Sequence, residues 1–203
     1  MQRMLLATAT FGIAIPCSAA TLHVPAHYSS VQSAIDASSD GDEVVLAPGV
    51  YYEAIDMKGR EITLRSSDPS NPDIVDATII DAQYHPESSV IYCNDDESPD
   101  TIIDGLTITG GTGTQVGGSF NGGGLFAYFA DPTIRRCVFT GNSADTGGGV
   151  ALRYSISTIE SCLFDGNAAY GNAGQGGGGV HTHTCGGAIL SSTFVNNDGG
   201  VAG

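Results

Sequence analysis

The sequence predicts an all-β fold, a parallel β-helix, on three observations. A frame of Ile, then Phe five residues later, then Asn three residues after that, recurs through the second half of the chain. Glycine triplets stand at a fixed distance before each Phe. No helical apolar pattern of ten or more residues interrupts the last hundred residues. Short strands at such a recurrence, with neither helices nor two-residue hairpin turns between them, fit a coil whose rungs pair in parallel roughly 4.8 Å apart.

Composition narrows the class. The chain has 203 residues, 22 acids against 7 bases for a formal charge of -15, 41% hydrophobic residues and 29 glycines. That apolar content is too high for a disordered acidic tail. The bases are too few to form the cationic face that nucleic acid or anionic lipid requires. The glycines follow no triplet period, which excludes collagen, and 25 of the 29 lie after residue 100, where the repeat is clearest.

Taken in order, residues 1–20 carry Arg3, an apolar run from Met4 to Ile15, Pro16 and the small residues Ser18, Ala19 and Ala20. This is the pattern of a secretory signal peptide cut after Ala20, and it predicts a secreted or cell-surface protein. Pro16 beside Cys17 fits a lipoprotein cleavage box poorly. The run is too short to span a bilayer, and no later stretch approaches the roughly 20 apolar residues needed.

Residues 28–38 put Val31, Ala34, Ile35 and Ala37 on one helical face, with Ser29 or Ser30 as N-cap, and predict a capping α-helix. Rungs are expected over 42–203, within a domain spanning 21–203. The order Val31-Gln-Ser-Ala-Ile-Asp36, Gly41-Asp-Glu-Val44, Pro48-Gly-Val-Tyr-Tyr-Glu53 and Ile62-Thr-Leu64 resembles the first segment of right-handed parallel β-helix proteins of the pectin-lyase-like superfamily. The resemblance implies a helix covering the first rung.

The repeat itself reads Ile134 to Phe139 to Asn142, Ile159 to Phe164 to Asn167 and Ile189 to Phe194 to Asn197, extending back to Ile103 and Ile108 and more faintly to Val75 and Ile80. Leu125 to Phe139, Val150 to Phe164 and Val180 to Phe194 each span 14 residues, whereas the return intervals vary from 7 to 17. All insertions are therefore expected on one face, the first place to look for function. Asn142, Asn167 and Asn197 are expected to form a structural ladder at a left-handed corner, beside a Phe139, Phe164 and Phe194 column. Cys137 and Cys162 share one inward position. They stand as stacked buried thiols, with a disulfide as the alternative that an exported protein allows.

Asp104, Arg135 and Glu160 follow the repeating Ile as an alternating-charge column, while Arg136 has no partner in the pattern. Alternation from the inward Leu125, Val150 and Val180 sends Phe126, Ala151 and His181 outward, followed by Tyr128, Arg153 and His183. Phe126, Tyr128, Arg153, His181 and His183 are the candidate ligand-binding residues, a platform for a sugar ring or an acidic group, against an ordinary solvated sheet face as the alternative. His181 and His183 also make half of a zinc or copper site that lacks a third ligand in register. Asp95, Asp96, Glu97 and Asp100 are the candidate calcium ligands; no motif requires any other cofactor.

The superfamily resemblance implies a choice among polysaccharide lyases, hydrolases, esterases and non-catalytic surface proteins. The Gly-His-Gly of polygalacturonases is missing, as are the Gln-Asp and Asp-Phe pairs of pectin methylesterases. Phe139-Thr-Gly-Asn142, Phe164-Asp-Gly-Asn167 and Gly186-Gly-Ala-Ile189 resemble the repeats of polymorphic outer-membrane proteins, which implies a surface adhesin; the barrel of that family is not in these residues. The function expected is binding or adhesion with carbohydrate as ligand. The alternatives are a lyase or hydrolase acting on acidic polysaccharide, or a structural surface element. The expected partners are a polysaccharide or cell-surface component. End-to-end association or a longer parent chain is expected through an open edge after Gly199-Gly-Val201.

Overall fold

The computed structural model describes residues 19–171 and 176–200, so the signal-peptide expectation over residues 1–20 lies outside it except for its last two residues, as does the end of the chain expected to form an open edge after Val201. Three large sheets of seven, six and five strands wind about one core. A rung passes from the third sheet to the first and then the second, as in Leu125–Tyr128, Thr133–Arg135 and Val138–Thr140. Pairing between successive rungs is parallel throughout these sheets.

The register of the repeat is the register of the structure. Ile103, Ile134, Ile159 and Ile189 pair in one column, and Ile80, Ile108, Phe139, Phe164 and Phe194 in another. The rings of Phe139 and Phe164 stack at 4.9 Å and those of Phe164 and Phe194 at 4.7 Å, within 5° of parallel. Asn167 donates its side-chain amide to the Phe139 carbonyl (2.8 Å), while its Oδ1 accepts from both the backbone N–H and the side chain of Asn142 (3.2 and 3.1 Å). Asn197 does the same one rung on. The ladder asparagines themselves are not left-handed. The positive φ falls one residue earlier, at Gly141, Gly166 and Asn196. Cys137 and Cys162 are buried free thiols; burial pushes the Cys137 thiol well up, so it stays a neutral, hydrophobe-like SH.

Glycine has two uses. In two of the three triplets the first residue takes a positive φ, at Gly122 and Gly147 but not at Gly177. The second and third do not, and are glycine because the turns lie directly on one another: a Cβ on Gly148 would collide with the backbone of Ala168.

The first rungs show where the acids go. Helix α1 (Val31–Ala37) is capped by Ser30 in a capping box with Ser33, and buries Val31, Ala34 and Ile35. The Glu53 carboxylate accepts from the Val31 and Gln32 N–H groups (2.8 and 3.0 Å), and Asp42 accepts from Ala20 and Ser39 (2.7 and 2.8 Å). Tyr51 donates to the Ala47 carbonyl (2.7 Å). The Pro-Gly-x-Tyr-x-Glu motif thus ties the helix to the rungs beneath it.

Two expectations need correction here. A second helix, α2 (Pro72–Ala77), breaks the all-strand expectation. Asn71 caps it and proline opens it. Val75 therefore belongs to α2, and Leu64 holds the column position next to Ile103. Arg136 does have a partner. Asp104, its side chain only 3% exposed, accepts from Arg135 Nε at 2.8 Å and Arg136 Nε at 2.9 Å, so both guanidinium groups converge on one carboxylate and Glu160 is left exposed.

Candidate functional site

The third sheet consists of Ile55–Asp56, Ile91–Cys93, Leu125–Tyr128, Val150–Arg153 and Val180–His183 in spatial order. Leu125, Ala127, Val150 and Leu152 join the core, so the alternate residues face away from it. One outward column runs Asp56, Tyr92, Phe126, Ala151, His181, and the next runs Tyr128, Arg153, His183.

The longest insertion builds a roof over this face. Between Ile108 and Leu125 the chain makes an antiparallel hairpin, Thr114–Val116 with Ser119–Asn121, around a two-residue Gly117-Gly118 turn with φ of 66 and 84°. Positive φ at both central residues matches the twist of a tight hairpin. This hairpin is one the sequence reading denied. A Gly-Gly pair among so many glycines carried no contrast. Ser89 and Thr114 hydroxyls, 3.0 Å apart, and the Ser89 hydroxyl bonded to the Asn121 carbonyl (3.1 Å) pin its base to the neighbouring rung.

Hairpin and sheet enclose a cleft of about 390 Å³ lined by Val116, Gly117, Ser119, Asn121, Thr146, Arg153, His181 and His183. Arg153 reaches Asn121 Oδ1 at 3.4 Å and holds its guanidinium 5.8 Å from the centre of the Tyr128 ring. Among the described lining residues there is no carboxylate and Arg153 is the fixed charge, while Asp145 beside the cleft accepts from the Phe120 N–H of the hairpin (2.8 Å). Burial, with His183 and Arg153 as like-charged neighbours, holds the His181 imidazole below its ordinary range, neutral at pH 7.

Of the five predicted ligand-binding residues, the structure brings Arg153, His181 and His183 to this cleft and places Tyr128 beneath Arg153. Phe126 is different. It is fully buried, its ring stacked between Tyr92 (5.6 Å) and Tyr128 (5.8 Å), and no ligand reaches it. An outward position is not an open one when aromatic neighbours close over it.

Two residues escaped the sequence reading. Phe129 and Tyr154 follow the outward Tyr128 and Arg153, so strict alternation turns them inward. Both instead take left-handed backbone, φ 52 and 55°, which swings them out at the corner. They are 51% and 40% exposed, and their rings stack at 4.6 Å and 10°. Tyr128 packs edge-on against Phe129 (4.7 Å), and His183 edge-on against Tyr154 (5.6 Å). The signal available was their 25-residue spacing, the repeat length itself.

The candidate calcium ligands do not converge. Glu97 is buried with its carboxylate accepting from the Gly59 and Asp95 N–H groups (2.9 and 3.0 Å), which makes it the clamp of its own turn. Asp100 faces away, beside Asp42 and Glu61. Among the described residues, no three His, Cys, Asp or Glu side chains come together in a metal-binding group, and that includes the His181 and His183 pair. No described helix is long and apolar enough to cross a membrane.

No family model and no curated protein matches the chain. Among solved structures, it is similar to the pectin methylesterase of Aspergillus niger, with a TM-score of 0.52 and 18% identity over 89% of this chain and 59% of that one. The chain thus spans about three fifths of that enzyme's length. The likeness is one of fold. The chain is a right-handed parallel β-helix.

Proposed function

We propose that this protein binds an acidic polysaccharide in the cleft over the third sheet. One observation carries the reading: Arg153, His181 and His183 converge in one cleft under a hairpin, and no carboxylate is among its described lining residues. In a chain with formal charge -15, a pocket of this sign is a local exception, suited to an anion. Arg153 supplies a planar donor fork for a sugar carboxylate. The imidazoles supply hydroxyl and ring-oxygen partners while neutral, and further positive charge once protonated. Surface display or secretion belongs to the same proposal, supported by the signal-like residues 1–20.

A second reading is favoured by the fold likeness to a pectin methylesterase: β-elimination on a bound uronate, in which neutral His181 takes the C5 proton, the C4=C5 double bond forms, and the glycosidic oxygen leaves C4 with a proton from water. Hydrolysis by paired carboxylates fits less well, because no carboxylate is among the described lining residues.

The test is titration calorimetry of the protein against polygalacturonate, alginate and a neutral glucan, with ultraviolet detection of unsaturated sugar ends in parallel. Binding to a uronate polymer that is lost in Arg153→Ala/His183→Ala, without new unsaturation, supports the binding reading. Sustained unsaturation supports the lyase. Equal or stronger affinity for the neutral glucan overturns the anionic site.

A further inference from the structure

The corner beyond the cleft carries a stacked, half-exposed aromatic pair. Across successive rungs, the residue after the third-sheet strand is left-handed: Phe129, Tyr154 and then Thr184, with φ of 52, 55 and 55°. Glycine takes this conformation freely and bulky side chains do so at a penalty, so an aromatic kept there marks either function or strong local compensation. Left-handed corners recur elsewhere, at Gly110, Gly141, Gly166 and Asn196 after the second sheet and at Gly105, Arg136, Ser161 and Ser191 after the first. Those corners carry glycine or polar residues, whereas two of the three after the third sheet carry aromatics. The two aromatics gain little burial in return, being 51% and 40% exposed. They stack nearly parallel, 10° apart, and present ring surface to solvent.

Resting on the polysaccharide reading above, we infer that Phe129 and Tyr154 form a second sugar subsite, and that the polysaccharide crosses the third sheet along its strands. The path is continuous. The cleft begins at the hairpin and Thr146, passes His181 and ends at Arg153 and His183; Tyr154 is the next residue after Arg153, its ring 5.6 Å from that of His183. Strands rise about 3.3 Å per residue, so a four-residue strand with its corner is long enough for more than one sugar ring. An acidic unit sits with its carboxylate at Arg153, and the apolar face of a following pyranose lies on the exposed aromatic surface. Arg153 joins the two subsites, since its guanidinium also lies over Tyr128.

Galacturonate and mannuronate oligomers of two and six units test this by calorimetry on the wild-type protein and on Tyr154→Ala, Phe129→Gly/Tyr154→Gly and Arg153→Ala. Loss of the platform is expected to weaken hexamer binding about tenfold while leaving dimer binding nearly unchanged, whereas Arg153→Ala weakens both. The glycine pair is expected to melt no lower than wild type, because both left-handed corners relax. The chain has no tryptophan, so Tyr154→Trp places the single tryptophan on the platform, expected to retain affinity and to change its selectively excited emission with hexamer. Hexamer affinity unchanged in both platform variants, with binding still lost in Arg153→Ala, overturns the second subsite and leaves the cleft standing. A wild-type protein that binds neither length of either uronate overturns the polysaccharide reading, and the subsite falls with it.

Discussion

The inner column of the second sheet and the outer columns of the third share one register and differ in what repeats. Inside, Phe follows Phe follows Phe, with an Asn beside each. Outside, the same rungs carry Tyr92, Phe126, Ala151 and His181, then Tyr128, Arg153 and His183. A solenoid core presents a similar apolar environment at every rung, so Ile80 and Ile108 and then three Phe fill one column. A surface that touches something else has no such periodicity. Where the register is constant and the chemistry changes, the scaffold has stopped dictating the residue.

That contrast can be broken at its strongest point first. Phe164→Ala removes a ring stacked on both faces and fully buried, and is expected to lower stability by about 3–5 kcal/mol in urea unfolding. Phe126→Ala separates burial from facing. Its ring points away from the core yet is fully buried, so a loss of similar size, about 3 kcal/mol or more, is expected. A loss below about 1 kcal/mol would mean that the outer stack does not act as a second small core.

Asn167→Ala strips an acceptor from two donors of Asn142 and a donor from the Phe139 carbonyl, in a fully buried site. About 3 kcal/mol is expected, since each orphaned buried group costs about 1–3 kcal/mol. Arg153→Ala/His183→Ala should cost under about 1 kcal/mol by the same unfolding measurement, while abolishing the uronate binding proposed above. A large stability loss there would make these side chains structural.

The smallest effect is in pH. His181 stays neutral in the folded chain at a pH where the unfolded chain, near 6.5, takes up a proton. The unfolded state then binds more protons, so stability falls as pH drops below about 6.5, and His181→Gln should flatten that slope. Affinity for a uronate polymer should run the other way, rising on acidification as the ligand carboxylate favours the charged imidazole. Parallel slopes would separate His181 from the ligand.

Much of this was legible beforehand. The constant interval from Leu125 to Phe139 gave the rungs, and the constant frame from Ile to Phe to Asn gave the column that the structure stacks. Both survive because parallel pairing puts equivalent residues of successive rungs at the same height, so a one-dimensional period becomes a three-dimensional neighbour list. The acid excess was not legible: Glu53, Asp42 and Glu97 serve as acceptors for backbone N–H groups. Those partners are 21, 22 and 38 residues away, and no period relates them.

By itself, then, the sequence determined the coil, its register and its inner ladder, because those depend on what repeats. Tertiary structure alone decided which outward residues are open. Tyr92 and Tyr128 close over Phe126, the hairpin roofs Arg153 and His181, and a left-handed corner turns Phe129 and Tyr154 from the inward side to the solvent. Each of these is a lateral event, set by packing between unlike residues or by a local break in alternation, and periodicity carries no record of it.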